Sequence, residues 1–144
     1  MSTKLVYSGS DGFLEIDEIQ GAAKSGLIPR IINKDTRDIS YVVNQNIIDS
    51  LLKKVQEKSV VEFDKQLKKY TAYNNLVPQI YGEGTTEREA IVNMIQEAKS
   101  FANDYRKNSE LFSNILDGTQ QFYINNILLN IEDDTKIKEI LKIS

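Results

Sequence analysis

Histidine, cysteine and tryptophan are missing from all 144 residues. Each absence removes a route to chemistry. Zinc sites draw on Cys or His ligands. A serine or cysteine nucleophile normally hands its proton to a His base, and thiol redox chemistry needs Cys. Any metal would have to be a hard cation held by oxygen alone. No spacing of carboxylates nominates such a site, so neither a metal nor a cofactor is expected. Hydrophobic runs are short as well. None approaches the ~18 residues of a membrane span, and the N-terminus lacks the apolar stretch of a signal peptide. The expectation is a cytoplasmic protein with no membrane partner. Only two prolines and seven glycines punctuate the chain, which leaves long stretches without an obligatory break.

Hydrophobic residues make up 40% of the chain and charged residues 27%, the balance of a globular protein rather than a disordered one. A chain of this size buries roughly 68–70% of its unfolded surface, enough for a single domain overall. The 18 basic and 21 acidic side chains leave a net charge of −3. That disfavours general polyanion binding and leaves room only for a local basic patch.

Residues 1–37 read as a small irregular unit. Leu5, Val6 and Tyr7 form a short apolar run, and residues 8–12 are a turn by composition. Residues 13–19 either complete a short β-hairpin or open a helix. Phe13, Ile16, Gln20 and Ala23 share a helical face. Asp11 is placed to cap it and Gly26 sits where a helix ends, so a helix over about 13–25 is expected. From Asp38 the pattern changes. Ile39, Val43, Ile47, Leu51 and Val55 recur every four positions, and Phe63, Leu67 and Tyr70 extend the stripe. No Gly or Pro interrupts residues 38–74. That predicts one helix, or two joined near Ser59, spanning roughly 55 Å at ~1.5 Å per residue.

Tyr81-Gly-Glu-Gly-Thr-Thr86 reads as a linker, and Thr86 with Glu89 as a capping box. Ile91, Ile95, Ala98 and Tyr105 mark a second long helix that runs on to Asp117-Gly118, with shorter helices following around residues 122–131 and 135–143. The resulting fold class is mainly α. Residues 38–144 form an elongated helical bundle built on a long antiparallel hairpin, because a short connection forces neighbouring helices together. Residues 1–37 pack on it.

No chemical motif survives comparison with what its chemistry requires. Gly82-Glu-Gly84 precedes a helix start, as in a phosphate loop, yet no Lys is at hand and Glu83, Glu87 and Glu89 would repel an anion. Asn33, Asp35 and Arg37 begin in the rhythm of a calcium loop, but Arg37 cannot ligate, and Asp38 and Asn44 stand where Gly and Glu belong. Glu132-Asp-Asp134 suits a helix boundary, since adjacent side chains diverge on a helix. Ser50 and Lys53 match a Ser-x-x-Lys spacing without its partner motifs. The chain reads as non-enzymatic.

Two surfaces are left to carry function. One is the amphipathic stripe of residues 38–74, which an isolated hairpin cannot cover. Leu51 and Val55 on that stripe, with Lys54 and Lys58 from a lysine-rich stretch that runs to Lys69, form the candidate partner-binding site. The partner is another protein or a second copy of the chain, met in coiled-coil fashion.

The other surface is residues 18–37. Ala22 is small where two helices would cross, Gly26 sits at the turn with Leu27 beneath it, Pro29 would open a second helix, and Ile32 faces inward. This pattern resembles the helix-turn-helix of bacterial DNA-binding domains. The resemblance implies that Arg30, Lys34 and Arg37, at i, i+4 and i+7, would meet phosphates or base edges. Ser25, Ile28 and Asp35 depart from the pattern. The primary expectation is therefore a protein-binding module: an adaptor, chaperone or inhibitor of a bacterial or phage system. A small DNA-binding regulator that dimerises through its helical region is the alternative.

Overall fold

The computed structural model describes residues 6–8, 16–55 and 57–143. Asp11 and Phe13, and with them the expected start of the first helix, lie outside these residues. The chain divides into two compact units, Met1–Val55 and Gln56–Ser144. The architecture is mixed α/β and overturns the expected elongated helical bundle. The described residues form two three-stranded sheets and six helices, and the helices hold fewer than half of these residues.

The first unit contains β1 (Val6–Ser8), α1 (Ile16–Lys24), β2 (Arg30–Ile32), β3 (Ile39–Tyr41) and α2 (Gln45–Lys54). β1 and β2 are parallel neighbours, a pairing that needs a crossover, and α1 lies within it. α1 buries Ile19, Ala22 and Ala23, spaced i, i+3, i+4. It closes in a Schellman motif: Leu27 N–H reaches Ala22 C=O at 3.2 Å and Gly26 N–H reaches Ala23 C=O at 3.0 Å, with Gly26 at φ 95°. Past Pro29 no second helix forms, which removes the helix-turn-helix. The β-branched Ile31 and Ile32 instead join a hairpin in which Arg30 pairs with Tyr41 and Ile32 with Ile39. Its turn is held by Asn33, whose Oδ1 accepts the N–H groups of Asp35 and Thr36 at 2.9 and 3.1 Å. Asn44 then caps α2, accepting Asn46 N–H at 2.7 Å.

The second unit is an antiparallel meander of β4 (Ser59–Asp64), β5 (Lys69–Asn74) and β6 (Tyr81–Gly84), followed by α3 (Glu87–Lys107), α4 (Ser109–Ser113), α5 (Gly118–Leu129) and α6 (Asp134–Ile140). The helix expected over residues 38–74 is therefore strand β3, a ten-residue helix and two further strands. The helix-like spacing of Phe63, Leu67 and Tyr70, four positions and then three, straddles a hairpin turn. There Asp64 Oδ1 accepts the N–H groups of Gln66 and Leu67 at 2.8 and 3.1 Å, and Lys68 takes the left-handed conformation at φ 52°. The expected linker at residue 81 is strand β6. Thr86 does cap α3, accepting Glu89 N–H at 3.1 Å, and Asp117 and Gln120 close a capping box on α5.

α3 lies directly on β6. A Cβ on Gly82 would stand 2.2 Å from the Met94 backbone nitrogen and 2.3 Å from the Ala90 carbonyl oxygen, and one on Gly84 2.6 Å from Glu89 Cβ. The helix meets the sheet with small residues too: Ala90, Ala98 and Ala102 are all at 0% exposure. Ala72, Val77 and Ile80 from the sheet side join Met94 and, further along, Ile124, Ile127, Ile137 and Leu141 in the core.

A buried polar cluster ties the sheet to the last helices. Asn74 donates to Ser59 Oγ at 3.1 Å and to the Tyr123 hydroxyl at 3.4 Å, and its Oδ1 accepts Leu76 N–H at 2.9 Å. Tyr123 donates to Ile140 C=O at 2.7 Å, and Ser59 Oγ to Leu141 C=O at 2.5 Å. Burial pushes the Tyr123 hydroxyl well above the usual tyrosine range, with the Asn74 bond opposing it.

Gly82→Ala should destabilise the second unit by at least ~3 kcal/mol, since the clash is with backbone that cannot turn aside. Gly21→Ala in α1, where nothing lies within 4 Å, should instead stabilise by ~1 kcal/mol. Urea denaturation of both variants checks the pair. Tyr123→Phe should cost about 1–3 kcal/mol at neutral pH, because Ile140 C=O loses its donor. The raised tyrosine value means that the hydroxyl's contribution is complete below about pH 10 and falls as pH rises beyond it. Alkaline denaturation should therefore be steeper in wild type than in the Phe variant.

Candidate protein-binding surfaces

The described residues offer surfaces rather than a catalytic centre. No group of three or more Asp, Glu, His or Cys among them could hold a metal ion, and no buried side-chain nitrogen or oxygen among them lacks a partner. The Tyr123 hydroxyl, the one strongly perturbed group among them, is committed to the core cluster. No helix among the described residues is long and apolar enough to cross a membrane.

The expected partner-binding residues fall at the end of α2. Leu51 is 48% exposed on the helix, Lys54 is its exposed last residue, and Val55 is the half-buried C-cap, whose N–H reaches Leu52 C=O at 3.2 Å. Leu51 and Val55 are thus one turn apart, as the spacing predicts. Lys58 lies beyond the helix, exposed in the connection that leads to β4. α2 is strongly two-faced, with Ile47, Ile48, Leu51 and Leu52 on one side, yet it buries none of its residues. An amphipathic helix draws its stability from a covered apolar side, and here that side is only half covered, with Leu51 its exposed member.

A second open apolar surface lies on the sheet of the same unit. Alternation along the strands puts Tyr7 on one face, at 2% exposure, and Val6, Ile39 and Tyr41 on the other, at 44%, 50% and 59%. The sequence pattern does not single these three out. Its one signal for them is the two-residue alternation of Ile39 and Tyr41, which the four-residue spacing of the longer stretch overrides.

The residues expected to touch nucleic acid are not presented by a helix. Arg30 sits on β2 opposite Tyr41, while Lys34 and Arg37 share the hairpin tip, Arg37 at φ 66°. The structure brings Lys34 and Arg37 together and separates both from Arg30.

Two comparisons with known proteins agree. Residues 16–143 match the PHD-like family model, described as the antitoxin of a RelE/RelB toxin–antitoxin system. A solved structure from Syntrophomonas wolfei subsp. wolfei, assigned as an antitoxin part of a toxin/antitoxin system, is similar with a TM-score of 0.68 over 94% of each chain. At 16% sequence identity that likeness is one of fold. No curated protein matches the chain.

Proposed function

Because the chain belongs to the PHD-like family of antitoxins of RelE/RelB toxin–antitoxin systems, we propose that it restrains its cognate toxin in the cytoplasm by stoichiometric binding, as a self-associated species held together through its first unit. Antitoxins of this family are binding proteins, not enzymes. The family match over residues 16–143 carries the reading.

The self-association rests on α2. Among the described residues of the first unit the buried apolar side chains are few: Tyr7, Ile19, Ala22, Ala23 and Pro29, with none from α2. A unit this small is marginal even with a complete core. A second copy is present wherever the chain is made, so it supplies the missing cover before any toxin is met. Leu51 and Val55 are the anchors of this contact, with Lys54 at its rim.

Co-expression with the toxin should relieve toxin-induced growth arrest, and the purified chain should sediment as a dimer. Changing Leu51 and Val55 together to Asp should weaken self-association by at least ~100-fold, since two buried apolar anchors become desolvated charges. Leu51→Ala, which keeps the helix intact, should weaken it less. A wild-type chain that stays monomeric, or a double variant that sediments and melts as wild type does, would remove α2 from the interface.

A further inference from the structure

The sheet of the second unit is covered on one face only. The strand pairings put Ala72 opposite Gly82 and Ser59 opposite Asn74, and these are the positions beneath α3 and the core cluster. The alternate positions form the other face. Across it Val60, Tyr73 and Tyr81 stand side by side in one row, with Glu62, Thr71 and Glu83 in the next and Asp64 beside Lys69 in the last. An open face of an antiparallel sheet is ordinarily polar. Here its first row is aromatic and aliphatic, and Tyr81 is 51% exposed.

We propose that this open face is where the toxin docks, through basic side chains seated around the Tyr73 and Tyr81 rings. The inference rests on the antitoxin reading and adds the surface to it.

Charge argues for a basic partner. The face carries three carboxylates, Glu62, Asp64 and Glu83, against Lys69, with Lys65 at the rim of the depression beside Glu62. The second unit repeats the bias: residues 56–144 hold eleven basic and fourteen acidic side chains, whereas residues 1–55 are balanced at seven and seven. The carboxylates are set in place, since the Tyr73 hydroxyl donates to Glu62 at 2.9 Å and Lys69 Nζ lies 3.9 Å from Glu83. The Glu62 bond, with its negative charge, holds the Tyr73 hydroxyl above its usual range. Depressions of about 470 Å³ beside Glu62, Thr71 and Tyr73 and about 320 Å³ beside Tyr81, Glu83 and Glu97 flank the row. An aromatic ring with a carboxylate next to it suits a guanidinium, which stacks on the first and pairs with the second.

The same charges exclude the other occupants. A second copy on this face is disfavoured, because carboxylates outnumber lysines on both sides and the two faces would repel overall. Strand addition at β6 is obstructed, because Asn93 Nδ2 already donates to the Glu83 carbonyl at 2.7 Å.

Surface plasmon resonance with the purified cognate toxin and the full-length chain tests the assignment. Tyr73→Ala and Tyr81→Ala should each weaken binding by about tenfold or more. The double variant Glu62→Gln with Glu83→Gln should slow association and flatten its salt dependence. Val92→Ser, 48% exposed on α3, should bind as wild type does. Circular dichroism and melting temperature verify folding, and the carboxamide pair keeps the test open if a tyrosine variant unfolds. Folded sheet variants that bind as wild type does overturn the surface and leave the antitoxin reading intact. Sheet variants that lose self-association instead make the face a contact between copies, which also overturns it. A wild-type chain that fails to bind the toxin defeats the antitoxin reading itself.

Discussion

Helix α3 and strand β6 approach so closely that hydrogen is the only side chain that fits between them at Gly82. Most of the second unit depends on this contact. With the Gly82 and Gly84 positions turned toward the helix, the two-residue repeat of the sheet assigns every other residue of β4 and β5 to a face. Ala72 and Asn74 go inward and Tyr73 and Glu62 outward. The helix answers with Ala90, Ala98 and Ala102, and larger side chains from α5 and α6 fill the space beyond. The open face of the sheet is the geometric complement of this packing. A larger residue at 82 would lift the helix and disturb both faces at once.

The cluster around Asn74 is the second fixed point. It lies where four elements, β4, β5, α5 and α6, bring backbone and side-chain polar groups into the core, and each is paired. Such a cluster stabilises only when complete, because an unpaired buried group costs its full desolvation. It consumes the most perturbed tyrosine among the described residues for structure, which leaves recognition to exposed surfaces.

Several features were legible from the residues alone. The end of α1 at Gly26, the cap of α3 at Thr86 and the protein-binding character all come from local chemistry. The strands of residues 59–74 were not legible, for a specific reason. A hairpin turn usually announces itself with Gly or Asn at its left-handed position. Both long hairpins here put a cation there instead, Arg37 and Lys68, and brace the turn with a side-chain carboxamide or carboxylate, Asn33 or Asp64. Without the glycine, Phe63, Leu67 and Tyr70 imitate a helical stripe. Of the expected contact residues, Leu51 and Val55 kept their one-turn relation because α2 is real, while Lys58 fell outside it when the helix ended at Lys54.

Composition and local pattern by themselves determined what chemistry this protein lacks, where several of its helices start or stop, and that apolar side chains would remain for a partner. These depend on residue identity and on interactions within a few positions. The tertiary structure decided which stretches became strands, which face of each sheet stayed open, and whether Tyr73 and Tyr81 would stand together although eight positions apart. Those outcomes depend on pairing between distant segments. A four-residue spacing and a two-residue alternation can coexist in one stretch, and only pairing with another strand selects between them.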